Sequence, residues 1–275
     1  SSKMAGLGAL AARINNFLSS LPTANYKLQT KIIFTAHGWA FNEKRSFVSR
    51  LIIWLLHAVT VFLSHTVIAV SKNTAVSTPF YFLVKNKVRV IYNGPPKIEF
   101  IDRAAARQIL FKNELKNNLI IGSIGELHKN KGFGYLIKAI SILRRELPQL
   151  RMAIIGEGEE RKNLAALIKR EGLEKNVFLL GHIDEAAKYL KAFDIFALSS
   201  VTEALGYAIL EAGLAKVPVV ATAVGGVPEI INNMENGIMV EPQKPAELAR
   251  AVSFLLKHRG KMEEFANLLS RKVEN

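Results

Sequence analysis

No cysteine occurs among the 275 residues, which removes disulfide scaffolds, thiolate nucleophiles, iron–sulfur clusters and Cys-based zinc sites. The six histidines lack His-Glu-x-x-His or any comparable ligand spacing, so a zinc enzyme is disfavoured as well. Neither a G-x-x-x-x-G-K-[ST] string nor a D-x-D pair is present. Gly6-Leu-Gly8-Ala-Leu-Ala11 spells a dinucleotide fingerprint, but no strand precedes it and no acid follows at the required distance. Gly156-Glu-Gly158 follows an apolar run, yet Arg161 stands where the third glycine belongs. Nicotinamide and P-loop chemistry are therefore disfavoured. A basic n-region with an apolar h-region is also missing from the start, so no secretory leader is expected and a cytoplasmic setting is read.

What is present suits a folded chain. Hydrophobic residues make up 49% and charged residues 22%, which rules out disorder and collagen-like repetition. The length fits one large domain or two ordinary ones. A formal charge of +14 points to anionic partners: phosphates, nucleic acid or an acidic membrane surface. Nucleic acid is disfavoured, because Lys and Arg scatter over helix faces without a stripe of interleaved aromatics. Leu51–Val70 carries no charged residue. Its length alone permits a membrane span, but His57, Ser64 and His65 interrupt it and its end is β-branched, so it reads first as helix, break and buried strand, then with the helix resting on a membrane surface, and last as a span.

Helical spacing marks residues 5–19 and 46–63, and short β-leaning runs mark Lys31–Ala36, Thr66–Val70 and Val88–Ile91. Asn93-Gly94-Pro95-Pro96 breaks the pattern, and the domain boundary is placed there, giving segments 1–97 and 98–275. Beyond it, strands at Leu119–Ile124, Met152–Ile155, Val177–Leu180, Ile195–Ser199, Val217–Thr222 and Ile238–Val240 alternate with helical patterns near 133–146, 159–171, 184–192, 206–215, 226–232 and 245–257. Such alternation predicts right-handed βαβ units and a doubly wound parallel sheet.

The most informative segment is Ser199-Ser200-Val-Thr-Glu203-Ala-Leu-Gly206-Tyr-Ala-Ile-Leu-Glu211. A strand ends, a short loop carries Glu203, and a helix starts near Gly206. Free amides at Leu205, Gly206 and Tyr207, with the helix dipole behind them, would suit a diphosphate. Glu203 would stand before a sugar, and Glu211, one turn inside, could accept hydrogen bonds from ribose hydroxyls. The structural alternative makes Glu203 a capping acid and Glu211 a solvated helix residue.

Two glutamates eight apart and followed by Ala212 resemble the E-x7-E signature of retaining glycosyltransferases of family 4, which have the GT-B fold. Further matches follow in family order: Gly122 to Gly132, Ile155 to Gly158, Val177 to Gly181, Pro218 to Glu229 and Asn236-Gly237. The first segment adds Thr35-Ala-His37-Gly38-Trp39, Val70-Ser71 and Val90 to Gly94. The resemblance covers essentially the whole chain. It implies an α/β chain with two doubly wound Rossmann-like lobes, an acceptor-side lobe and a nucleotide-sugar lobe. It further implies transfer of a sugar from a UDP- or GDP-sugar to a sugar, glycan or lipid-linked hydroxyl, without cofactor or metal. The reading places such an enzyme in the cytoplasm, with the inner face of an anionic membrane as a possible site of work. By that resemblance His37, Lys131 and Glu203 serve the chemistry. Gly181 and His182 hold the base, Ala204, Leu205, Gly206 and Tyr207 the diphosphate, and Glu211 the ribose. Three departures accompany the match. Glu126 stands where many relatives carry Arg, the first lobe offers half a sheet without its glycine-rich loop, and the closing helix that crosses back is absent. Truncation at both ends is therefore expected. A sugar-nucleotide epimerase of the same fold, or a non-catalytic nucleotide-sugar binder, is the alternative.

Overall fold

The apolar runs become parallel strands in a computed structural model that describes residues 10–14, 16, 30–43, 45–95, 97–112, 115 and 118–274. Of the helix expected over 5–19, Leu10–Ile14 and Asn16 are helical; the rest, with Gly6 and Gly8, lies outside the described residues. Two compact units meet at Asn93/Gly94, whereas the sequence reading drew the line at 97/98.

In the first unit, β1 (Ile33–Ala36), β2 (Thr66–Ala69) and β3 (Val88–Val90) form a parallel sheet in that order. Between β1 and β2 runs α1 (Phe47–Leu63). Its N-terminus is capped by Ser46, whose hydroxyl accepts the Ser49 amide. Its C-terminal carbonyls are held by Lys87, whose Nζ donates to Val61 at 2.6 Å and to Ser64 at 2.9 Å. Helix, break and strand thus replace the uncharged run, and no helix among the described residues is long and apolar enough to cross a membrane. Short helices α2 (Lys72–Val76) and α3 (Tyr81–Val84) follow β2. Ala36, Trp39, Val61, Val67, Ala69 and Val84 form the core, with the Trp39 indole N–H donating to the Thr74 carbonyl at 2.8 Å. His57 sits edge-on to Trp39 and Phe41. Burial pushes its pKa down, keeping the ring neutral.

The second unit carries α4 (Arg103–Phe111), β4 (Leu119–Ile124), α5 (Phe133–Leu143), β5 (Leu150–Ile155), α6 (Arg161–Arg170), β6 (Val177–Gly181), β7 (Ile195–Leu198), α7 (Tyr207–Leu214), β8 (Val219–Thr222), α8 (Val227–Ile230), β9 (Ile238–Val240), α9 (Pro245–Lys257) and α10 (Arg259–Glu274). Its six strands are parallel in the order β6-β5-β4-β7-β8-β9. The strand order reverses between β4 and β7, so the loops leaving their carboxyl ends diverge and open a crevice. β4, β7 and β8 are nearly all Ile, Val, Leu, Phe and Ala because helices cover both faces of the sheet.

At the opposite edge, Asp194 locks β7 to β4. It accepts the Ile120 amide at 2.7 Å and pairs with Arg103 at 2.6 Å and Arg107 at 2.7 Å. The pattern near 184–192 is a 3-10 turn at Ala186–Ala192 rather than an α-helix. Four helices arise where the reading placed none: the short α2 and α3 of the first unit, and α4 and α10 here. In α4 and α10 the apolar positions (Ala106 and Phe111; Phe265, Ala266 and Leu269) are buried among dense charge, so the hydrophobic signal is diluted.

Candidate functional site

The loops after β4 and β7 are stitched together at the crevice. Lys129–Lys131 form a 3-10 turn begun by His128, whose Nδ1 accepts the Asn130 amide at 3.2 Å. Gly132 ends the turn at φ +63°, and a Cβ there would lie 2.1 Å from the Ser199 carbonyl oxygen, so only glycine permits this approach. The Ser199 hydroxyl donates to the Lys131 carbonyl at 3.0 Å, and the Val201 amide donates to the Asn130 carbonyl at 2.7 Å.

These bonds fix the Lys131 backbone and bring its ammonium to 2.8 Å from Glu203 Oε2. The same oxygen accepts the Ser200 hydroxyl at 3.0 Å. Behind it, Thr222 donates to the Ser200 carbonyl at 2.6 Å. Gly225, at φ +56°, lets the loop after β8 lie against the Glu203 backbone, where a Cβ would come within 1.5 Å of the Glu203 carbonyl. Lys131 and Glu203, 72 residues apart in sequence, thus share one corner.

Gly206 precedes α7 at φ +90° with no side-chain cap. Among the described residues nothing accepts the amides of Leu205, Gly206 or Tyr207. The positive end of the helix dipole therefore faces outward at this point. Leu205 and Gly206 are buried, Ala204 is half-buried, and Tyr207 is exposed, its phenol donating to the Gly94 carbonyl at 2.5 Å. One turn on, Glu211 is half-buried, and desolvation pushes its carboxyl above the ordinary carboxylate range. It lines a cavity of about 310 Å³ with Lys97, Ile98, Ile124, Glu185 and Lys188; Lys188 and Glu185 pair at 2.6 Å.

Gly181 ends β6 at φ +81°, and its carbonyl accepts the Gly156 amide at 2.8 Å. His182 and Asp184 beside it are both exposed and lie 3.0 Å apart. Glu126 is exposed, and its carbonyl accepts the His128 amide at 2.8 Å. His37 belongs to the first unit and is exposed directly after β1. No cluster of three or more His, Asp or Glu side chains that could hold a metal ion is found among the described residues.

Sequence reasoning missed Ser199, Ser200 and Thr222 as supports of the Lys131–Glu203 corner. Paired serines at the end of an apolar strand were the available signal. It also missed Lys97, Glu185 and Lys188, which nothing in their local spacing marks as lining one cavity with Glu211.

Taken together, the geometry defines a class: a doubly wound parallel α/β domain with an anion-receptive crevice at its switch point. Residues 105–268 match the family described as glycosyl transferases group 1, and the chain belongs to that family. An uncharacterised glycosyltransferase of Methanocaldococcus jannaschii is 35% identical over 196 residues, which is 69% of this chain and 50% of the relative. The lipopolysaccharide core biosynthesis glycosyltransferase LpsE of Rhizobium meliloti is 33% identical over 170 residues, 61% of this chain and 47% of LpsE. The chain spans about half the length of the curated relatives it matches. In fold it is similar to Anabaena HepE, solved in complex with UDP and glucose, with TM-score 0.84 and 22% identity, covering 100% of this chain and 71% of HepE. The sucrose-phosphate synthase of Thermosynechococcus elongatus has TM-score 0.78 at 21% identity, over 97% of this chain and 67% of the synthase. The fold is thus that of the GT-B glycosyltransferases, with two Rossmann-like parallel sheets.

Proposed function

We propose that this chain carries the donor-binding part of a retaining glycosyltransferase of family 4, using a UDP- or GDP-sugar. The observation that carries the reading is the Lys131–Glu203 pair at 2.8 Å, held at the switch point beside three unpartnered amides. A diphosphate presents the charge and the acceptor oxygens this corner lacks. HepE, of like fold, is solved with UDP. In the proposed reaction the bond between the sugar's anomeric carbon and the diphosphate oxygen breaks. The acceptor hydroxyl oxygen bonds that carbon on the same face, and its proton passes to the departing phosphate. Lys131 and the amides of Leu205, Gly206 and Tyr207 stabilise the negative charge that develops, a role open to a metal in other enzymes. Glu211 receives the ribose hydroxyls, Gly181 and His182 hold the base, Glu203 meets the sugar, and His37 serves near the reacting carbon. The acceptor is a sugar, glycan or lipid-linked sugar, and the reaction is placed on the cytoplasmic side. The relatives named as glycosyltransferases do not favour the epimerase.

The test is calorimetric titration with UDP and GDP, followed by transfer assays of a chain restored to the length of its relatives. Lys131→Ala should weaken nucleotide binding and, in the restored chain, lower turnover by ~10²–10³, the usual effect of losing one preorganised partner of developing charge. Unchanged affinity and turnover would remove Lys131 from the mechanism.

A further inference from the structure

The first unit has an inverted surface. On α1, Phe47, Val48, Leu51, Ile52, Leu55, Val59 and Phe62 are all exposed, from 46% to 79%. At helical spacing these seven positions fill an arc of about 140°, and no charged or polar side chain interrupts it. His57, Thr60 and Val61 on the other side are buried in the core, as is the small Ala58 within the arc. A solvent-facing helix side ordinarily carries polar and charged residues, yet this arc carries none.

The patch continues beyond α1. Phe80 adopts φ +54°, a strained conformation for a bulky residue. It places its ring 4.8 Å from Trp54 and 5.4 Å from Phe62. Immediately after it, Phe82 and Leu83 on α3 are 85% and 75% exposed. An apolar surface of this extent marks an interaction site.

Charge narrows the choice of occupant. Ser1–Asn93 holds eleven Lys and Arg against one acid, Glu43, a net of +10. Gly94–Asn275 holds 26 against 22, a net of +4. No acidic residue occurs between Glu43 and Glu99. Basic side chains border the patch: Arg50 lines a pocket with Phe47, Leu51 and Trp54, Lys85 directly follows α3, and Lys87 Nζ lies 5.8 Å from the centre of the Phe62 ring. A second copy would set one +10 unit against another, which like-charge repulsion opposes. Apolar side chains flanked by Lys and Arg are instead the pattern of an element that lies in a membrane interface.

We infer that α1 and α3 form a docking surface for an anionic lipid bilayer. The aromatic and aliphatic side chains enter the headgroup–acyl boundary while the basic rim meets lipid phosphates. The inference is independent of the donor site, which lies in the other unit.

The experiment is cosedimentation with vesicles of phosphatidylcholine alone, and of phosphatidylcholine mixed with phosphatidylglycerol. Binding should be at least about tenfold stronger on the mixed vesicles at low salt and should fall as salt is added. The double variants Phe82→Ser/Leu83→Ser and Phe47→Ser/Leu51→Ser should each lose at least about tenfold in binding, since several apolar side chains no longer leave water. Both should keep the parent melting temperature and UDP affinity, which separates this result from any failure of the donor site. Lipids brominated on their acyl chains should quench Trp54, whereas the other tryptophan, Trp39, is buried at 4% exposure. Absence of binding to the mixed vesicles would overturn the inference. So would equal, salt-insensitive binding to phosphatidylcholine, or a solution dimer that Phe82→Ser/Leu83→Ser abolishes.

Discussion

Replacing Gly225 with alanine tests whether the Lys131–Glu203 corner depends on the loop pressed behind it. Gly225 has φ +56°, and an added Cβ would stand 1.5 Å from the Glu203 carbonyl oxygen. Ordinary C···O contact is about 3.3 Å, so one segment must retreat by about 1.8 Å. The left-handed backbone adds about 1–2 kcal/mol for any residue with a Cβ. Clash and strain together should cost about 2–4 kcal/mol, within the range of substitutions at special backbone positions. The retreat carries Glu203 with it, and displacements near 1 Å can cost about 10²-fold at a site built on placement. Gly260→Ala is the control: nothing lies within 4 Å of its added Cβ, and helix propensity alone should make it neutral or slightly stabilising. Gly206→Ala should fall between them, because its nearest obstacle is a flexible Ile209 methyl at 3.1 Å. Denaturant unfolding gives the stabilities and calorimetry with UDP gives the affinities. A Gly225→Ala protein that unfolds and binds like its parent would refute the close-approach argument.

The raised pKa of Glu211 fixes a sign for pH dependence. The folded state holds this proton more tightly than the unfolded state, so the associated stability is present at acidic pH and is lost as pH rises through the raised value. Glu211→Gln should flatten that part of the profile and should weaken UDP binding; denaturant melts across pH and UDP titrations check both. Asp194→Ala should destabilise the second unit by about 3–5 kcal/mol, because half-buried Arg107 would lose its counter-charge and the Ile120 amide its acceptor; a loss under about 1 kcal/mol by urea unfolding would show the network to be replaceable. Glu203→Gln should tighten UDP binding by releasing Lys131 from its counter-charge, while lowering transfer in a restored chain. Weaker UDP binding in that variant would mean that Glu203 positions Lys131 rather than competing for it.

Strand positions were the most legible part of the fold. β4 and β9 fall on their expected residues and the other strands within two residues of them, because a strand covered on both faces must be continuously apolar. Helices whose burial is shallow were not legible. In α10 only Phe265, Ala266, Leu269 and Ser270 are buried, and the intervening charges mask the period. Boundaries shifted where a turn residue was overlooked. Gly172 and Gly181 take positive φ, yet only the second marks the end of a strand. The exposed arc of α1 illustrates a different limit. Spacing identified a helix but could not say which of its apolar sides the core would take.

The site was legible as residue types and not as geometry. The string from Ser199 to Glu211 announces a strand, a loop acid and a helix start, and the structure places them so. That Lys131 would meet Glu203 was not readable, because the contact depends on bonds between loops that are far apart in sequence: Ser199 to Lys131 and Val201 to Asn130. Local spacing pointed each residue toward a ligand, whereas the fold also pairs them with each other. An unpaired ammonium in a half-enclosed corner would be costly, and the carboxylate offsets that cost. On the proposed donor reading, a diphosphate would have to bring more than the charge that Glu203 supplies, and the amides at Leu205, Gly206 and Tyr207 would provide the additional donors. The corner favours a ligand with several anionic oxygens over one with a single carboxylate, because only the former can engage the ammonium and the amides together.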